Sequence, residues 1–106
     1  MKTRLKFAVL GCLAASLAAP ALAQDPGADT YKLKCAMCHG VDGLATTPAG
    51  KAFKAASFSD PAIVKTPDAD RIAIVKAGKN KMPAFGDKLS DDQIKAVLAY
   101  IRTLQK

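Results

Sequence analysis

Apolar positions recur at helical spacing near the C-terminal end of the chain. Ser90 comes before this pattern and Gln93 follows three residues later, which is the arrangement of a capping box at a helix start. Arg102 lies toward the other end, where a cation favours the helix dipole. The pattern predicts an amphipathic helix that needs an apolar partner. Its apolar stripe consists of Ile94, Val97, Leu98, Ile101 and Leu104.

A second helical pattern starts near residue 25. Asp25 stands where an N-cap is favoured and Pro26 occupies the first helical position, so a helix is predicted from there to a stop at Gly40. Its smallest residue, a glycine, would allow a close crossing with the last helix near Val97 and Tyr100. Three residues spaced four apart share one face of this helix: Gly27, Tyr31 and Cys35.

The middle of the chain contains fewer regular signals. Residues 41–65 are rich in Gly, Pro, Thr, Ser and Ala without a sustained period, which predicts a loop with at most a short helical turn. Thr66-Pro67-Asp68 then predicts the cap and first turn of a helix that ends before Gly78. Because strand signals are negligible, the predicted fold class is all-α.

The first 23 residues have the organisation of an export signal. A basic start with Lys2, Arg4 and Lys6 is followed by an apolar run over residues 7–23. The run ends in small residues, which predicts cleavage after Ala23 and places the protein in the periplasm or in a secreted or lumenal equivalent.

Two alternatives to cleavage remain for this leader. It could be retained as a membrane anchor, although 17 residues broken by Pro20 lie at the short limit for a spanning helix. A lipid could be attached at Cys12, although only residues 7–11 would precede it as an apolar segment.

The predicted mature part, residues 24–106, is one small and mildly basic domain. The whole chain has a formal charge of +7, and removal of a leader with three basic residues leaves 83 residues at +4. That charge density is low for nucleic-acid binding, which we exclude. A chain this short usually needs a metal, a disulfide or a cofactor to support its core.

Cys35-Ala36-Met37-Cys38-His39 is the strongest chemical signal in the chain. Two thiols one helical turn apart can each add across a vinyl group of one porphyrin, and a His directly after the second Cys lies under the iron. This is the attachment signature of a c-type haem. The sequence therefore predicts one haem c bound covalently through Cys35 and Cys38, with His39 as an iron ligand.

Other uses of a Cys-x-x-Cys pair each need something more. A zinc site takes four ligands, whereas two Cys and one His remain once the leader is removed. A thioredoxin-like pair belongs to a strand-helix-strand pattern, which is not seen. A lone disulfide between Cys35 and Cys38 would leave His39 without a role.

A ligand for the opposite face of the iron must come from elsewhere in the chain. His39 is the only His, Met1 lies in the leader, and Met37 lies inside the attachment motif. Met82 stands in a Gly- and Pro-framed loop over residues 78–86, where its sulfur could project from the backbone. The alternative is that Met82 only fills the core. Candidate pocket walls are Ile63, Val64, Ile72, Val75, Phe85 and Leu98.

The chain resembles the class I monohaem cytochromes c, in particular their small bacterial and cytochrome c6-like type. Cys35-x-x-Cys38-His39 resembles the family's attachment site, and the run from Lys81 to Phe85 resembles its Met-ligand loop. Residues of its paired terminal helices are matched by Gly27, Tyr31, Val97 and Tyr100.

The resemblance implies three to five helices around the haem, with crossed N- and C-terminal helices and axial ligands His39 and Met82. It also implies that the carbonyl of Pro48 accepts the proton on the other His39 nitrogen. The chain has no Trp, so the family's Trp near a haem propionate has no counterpart here.

Two protein ligands on the iron leave no open position for a substrate, which favours electron transfer over catalysis. A thioether ligand in an apolar pocket raises the potential of the couple. We therefore expect a soluble one-electron carrier that is not an enzyme. The alternatives are a haem peroxidase or gas-binding protein with a displaceable Met82, and a thiol-based redox or metal module.

Lysines frame the two haem-binding segments of the sequence. They would steer a monomeric carrier onto acidic surfaces of redox partner proteins, so that it meets membranes only through partner complexes. The lysines are Lys32, Lys34, Lys51, Lys54, Lys79, Lys81 and Lys88.

Overall fold

The computed structural model describes Gly11 and residues 25–105, and the fold over this part of the chain is helical. Between residues 25 and 105 no strand forms, apart from one isolated bridge between Lys79 and Met82. The predicted all-α class is confirmed. The predicted leader and its cleavage site lie outside the described residues, except for Gly11. The helices are α1 Pro26–Lys34, α2 Ala36–His39, α3 Pro48–Ala52, α4 Pro61–Val64, α5 Asp68–Ala77 and α6 Asp91–Leu104.

Helices α1 and α6 cross closely, as the sequence predicted. A Cβ atom added at Gly27 would lie 2.1 Å from the carbonyl oxygen of Ala96, so only a glycine permits this approach. One turn further along, the Tyr31 ring packs on Tyr100 with centroids 5.2 Å apart. The core around this crossing consists of Tyr31, Phe85, Leu89, Ile94, Val97, Leu98 and Ile101.

The predicted helix starts at Asp25 and Ser90 are confirmed. The Asp25 carboxylate accepts a hydrogen bond from Gly27 N at 2.9 Å. The Ser90 hydroxyl accepts from Gln93 N at 3.2 Å, and the Gln93 side-chain oxygen accepts from Ser90 N at 2.8 Å. These bonds satisfy backbone donors that a helix leaves open at its first turn.

Residues 41–65 contain more helix than the sequence predicted. α3 and α4 each begin at a proline that follows a capping residue, Thr47 and Asp60 respectively. Cap and proline together specify a helix start, but helices of five and four residues are too short to show a hydrophobic period.

The start of α5 also differs from the prediction. Pro67 is its N-cap residue, whereas the Thr66 hydroxyl donates to Ala62 O at 2.9 Å. Thr66 therefore belongs to the end of α4 and does not cap α5. The predicted end at Gly78 is confirmed, since this glycine is the C-cap with φ +76°.

None of the described helices is both long enough and apolar enough to cross a membrane.

Candidate functional site

A cavity of about 120 Å³, partly open to solvent, lies between α5, α6 and the segments around residues 35–39 and 56–66. Its walls are almost entirely apolar. The described residues that line it are Cys35, His39, Ala56, Phe58, Ile63, Thr66, Arg71, Ile74, Val75, Met82, Phe85, Leu89, Val97, Leu98 and Ile101.

Four of the six predicted wall residues line this cavity. Ile63, Val75, Phe85 and Leu98 do so, whereas Val64 is 40% exposed. Ile72 packs against the core from outside the cavity.

His39 is the last residue of α2, and two contacts hold its ring. Its Nδ1 lies 2.9 Å from the carbonyl oxygen of Ala56, and because a carbonyl only accepts, Nδ1 carries the proton. The ring stacks on Phe58 with centroids 4.5 Å apart and planes 17° apart. Burial lowers the pKa of His39, although the bond to Ala56 opposes this shift. The imidazole is therefore neutral at pH 7, with Nε2 available to a metal.

The predicted acceptor for His39 was Pro48, and in the structure it is Ala56. Pro48 is the first residue of α3, where its carbonyl points along the helix axis toward residues further along. Ala56 lies beyond the end of α3, where its carbonyl is not part of a helix and can face the imidazole.

The two motif cysteines differ in their surroundings. Cys35 lines the cavity, and burial raises its pKa to about 11, so that it is a protonated thiol at neutral pH. Cys38 lies in α2, half-buried, and is not among the residues that line the cavity. The two are not joined by a disulfide.

Helix α3 and its capping residue contact the backbone of the cysteine motif. The Thr47 hydroxyl donates to Met37 O at 2.7 Å and to Cys38 O at 3.0 Å. A Cβ at Gly50 would lie 2.2 Å from Cys38 O, so α3 approaches the motif backbone directly. These contacts hold the attachment segment in place while one of its sides faces the cavity.

Met82 reaches the same cavity from the loop after α5. A tight turn holds it, in which Met82 N donates to Lys79 O at 2.9 Å and Lys79 N donates to Met82 O at 3.2 Å. Asn80 has φ +53° within this turn. Phe85 N then donates to Val75 O at 2.8 Å and returns the loop to α5. The half-buried Met82 side chain lines the cavity together with His39.

Phe58 and Arg71 are cavity residues that the sequence did not single out. Arg71 is only 6% exposed, which is unusual for a charged residue. An arginine in an amphipathic pattern predicts a solvent-exposed position, so no local signal indicated its burial. Phe58 lies in a segment without a regular hydrophobic period, so the sequence did not indicate that it faces the cavity.

The residues that line this cavity fit a haem c. One imidazole and one thioether, both suited to iron, line one apolar cavity, and one attachment thiol is on its wall. Among the described lining residues, the charge is confined to Arg71.

Comparison with known proteins identifies the family. A family model described as "Cytochrome C oxidase, cbb3-type, subunit III" matches residues 22–101. Cytochrome c6 from Synechococcus sp. (strain PCC 6312) is 37% identical over 106 residues, which cover 95% of this chain and 91% of that protein. Cytochrome c6 from Diacronema lutheri is 36% identical over 78 residues, which cover 71% of this chain and 88% of that protein. The chain belongs to the class I monohaem cytochromes c.

Solved structures agree with the fold of this cytochrome. The KustC0563 c-type cytochrome superposes with a TM-score of 0.69 at 33% identity, over 76% of this chain and 98% of that one. Cytochrome c6C from Synechococcus sp. PCC 7002 superposes with a TM-score of 0.57 at 32% identity, over 74% and 92%. The predicted class I fold and covalent haem c are confirmed, and the protein is a haem-based electron carrier with redox partners.

Proposed function

We propose that this cytochrome is a soluble periplasmic carrier that moves one electron at a time through a haem held by His39 and Met82. The observation that supports it is that these two side chains, from distant segments, line one apolar cavity with Cys35. Haem c supplies the metal centre that gains and loses the electron. The protein's own residues attach it, orient its ligands and exclude water.

Each residue of the site has a distinct part in this proposal. Cys35 and Cys38 form the two thioether attachments. His39 offers Nε2 because Ala56 occupies Nδ1. Met82 offers its sulfur from the turn over residues 79–82, so that no position stays open for a substrate. An apolar wall and a thioether ligand together favour the reduced state.

The ligand role of Met82 can be tested in the purified holoprotein. We expect the ferric protein to show the far-red absorption band of a Met–iron bond, and the ferrous protein to bind CO slowly. Met82→Ala should abolish the band and speed CO binding. Met37→Leu is the matched control, because Met37 is 77% exposed and should leave both properties unchanged. If the wild-type protein lacks this band and binds CO rapidly, the proposal of an electron carrier is contradicted. That result would favour a gas-binding protein or a peroxidase with a displaceable Met82.

We further propose that the carrier is a monomer that docks on acidic partner surfaces near the Met82 loop, where Lys79 and Lys81 are exposed. Oxidation of the ferrous protein by ferricyanide should slow with added salt, since attraction between a cationic surface and an anion is screened. Lys79→Gln should lower the low-salt rate more than Lys65→Gln, which removes the same charge from the exposed end of α4. Equal effects would mean that only the net charge matters.

The periplasmic location rests on the leader, residues 1–23. We expect the mature protein from a periplasmic fraction to begin at Gln24, which intact mass spectrometry would measure. A mass that includes the leader, together with membrane association, would indicate a retained anchor.

A further inference from the structure

Arg71 is the one charged side chain among the described residues that line the haem cavity. It lies in the first turns of α5 and is almost completely buried. Its Nε donates to Thr66 O at 3.2 Å, and its Nη2 donates to Ile63 O. Both acceptors are backbone carbonyls, so these bonds do not neutralise its charge.

The charges around Arg71 do not balance. Arg102 lies beside it and donates to the same Thr66 carbonyl at 3.2 Å. The nearby carboxylate, Asp68, is bonded to Arg102 at 2.7 Å. Two guanidinium groups therefore share one carboxylate. One carboxylate for two guanidinium groups leaves a net positive charge beside the buried Arg71 side chain. Such a charge is costly to bury, which indicates that an anion belongs at this end of the cavity.

We propose that Arg71 binds a propionate carboxylate of the haem. Haem c carries two such carboxylates, and the other described walls of the cavity offer no cation to meet them. Nη1 of Arg71 makes no hydrogen bond within the described part of the chain and is suited to a carboxylate. The inference rests on the haem of the proposed function, but it does not depend on Met82 as the sixth ligand.

A fixed cation beside the haem favours the reduced state, which carries one positive charge less. Arg71→Met should therefore lower the equilibrium constant for reduction about tenfold, a shift of about 59 mV in the potential. It should also move the propionate bending mode in the resonance Raman spectrum. Arg71→Lys keeps the charge and should recover most of the potential.

Arg102→Gln is the matched control. It removes a guanidinium from the same Thr66 carbonyl, yet Arg102 is not among the residues that line the cavity. We expect it to lower stability while changing the reduction constant less than about twofold and leaving the propionate mode in place.

The proposal is wrong if Arg71→Met destabilises the protein but changes neither the potential nor the propionate mode. Arg71 would then only hold the backbone of residues 63–66. If Arg71→Met fails to fold, Arg71→Lys tests the proposal instead. An ammonium in place of a guanidinium must shift the propionate mode, and an unchanged mode would contradict the contact. The far-red band, measured in every variant, reports failure of Met82 ligation separately.

Discussion

At the scale of single residues, Gly27 decides how near α1 and α6 can come. A Gly→Ala change within a helix usually stabilises it by up to about 1 kcal/mol. Here the new methyl group would lie 2.1 Å from the Ala96 backbone, so the two helices would have to move apart. We expect Gly27→Ala to lower the free energy of unfolding by about 1–3 kcal/mol, measured by urea denaturation of the holoprotein. Lys32→Ala, at an exposed site of the same helix, should change it by less than about 0.5 kcal/mol.

Tyr31 makes stability depend on alkaline pH. It is 1% exposed, and its hydroxyl donates to Gly40 O at 2.6 Å. Burial raises the pKa of Tyr31 above its ordinary value of about 10. A raised folded-state pKa gives stability that is complete below about pH 10 and is lost as the pH rises further.

Tyr31→Phe should therefore be less stable at pH 7 by about 1–3 kcal/mol, because a buried acceptor loses its donor. The difference from wild type should shrink above about pH 10. Denaturation at several pH values would measure the free energy of unfolding of both proteins. Tyr100→Phe is the control, and its stability should fall at alkaline pH as that of the wild type does. If the difference in stability between Tyr31→Phe and wild type stays constant across the alkaline range, Tyr31 does not cause the alkaline loss of stability.

At the scale of elements, the loop between α5 and α6 determines where the Met82 sulfur can go. Gly78 ends α5 at φ +76°, and a Cβ there would lie 2.7 Å from Met82 O. The path of the loop backbone therefore depends on Gly78, because residues with a Cβ adopt this positive φ only at a cost.

We expect Gly78→Ala to destabilise the closed loop by about 1–2 kcal/mol and so to speed CO binding to the ferrous protein about tenfold. Gly86→Ala is the matched control, since its Cβ would lie 3.1 Å from Lys76 O and its φ is not positive. Similar CO rates for both variants would show that the Gly78 conformation does not restrain Met82.

At the scale of the whole molecule, the haem is part of the core. Empty apolar space costs about 24 cal/mol per Å³. The cavity volume of about 120 Å³ therefore corresponds to about 3 kcal/mol. This is a large share of the total stability of about 5–15 kcal/mol for a small domain.

A variant with both Cys35→Ser and Cys38→Ser should therefore melt more than about 10 °C below the holoprotein when no haem is bound. Circular dichroism at increasing temperature would measure it. Melting of the haem-free variant within a few degrees of the holoprotein would contradict a structural role for the haem.

The sequence alone determined the features that depend on neighbouring residues. The attachment motif at residues 35–39 and the capping box at Ser90 each fit within five residues, so their chemistry is visible without a fold. The stripe on α6 predicted its buried face because helical geometry fixes which positions align. Met82 was predicted largely by elimination.

The tertiary structure decided the contacts between distant segments. Ala56, rather than Pro48, faces His39 across 17 positions of the chain, and a backbone carbonyl has no sequence signal. Phe58 stacks on that ring, and Arg71 is buried beside the cavity, because of how the segments over residues 56–66 fold around the site. Such contacts depend on the path of the whole backbone, which no local pattern specifies.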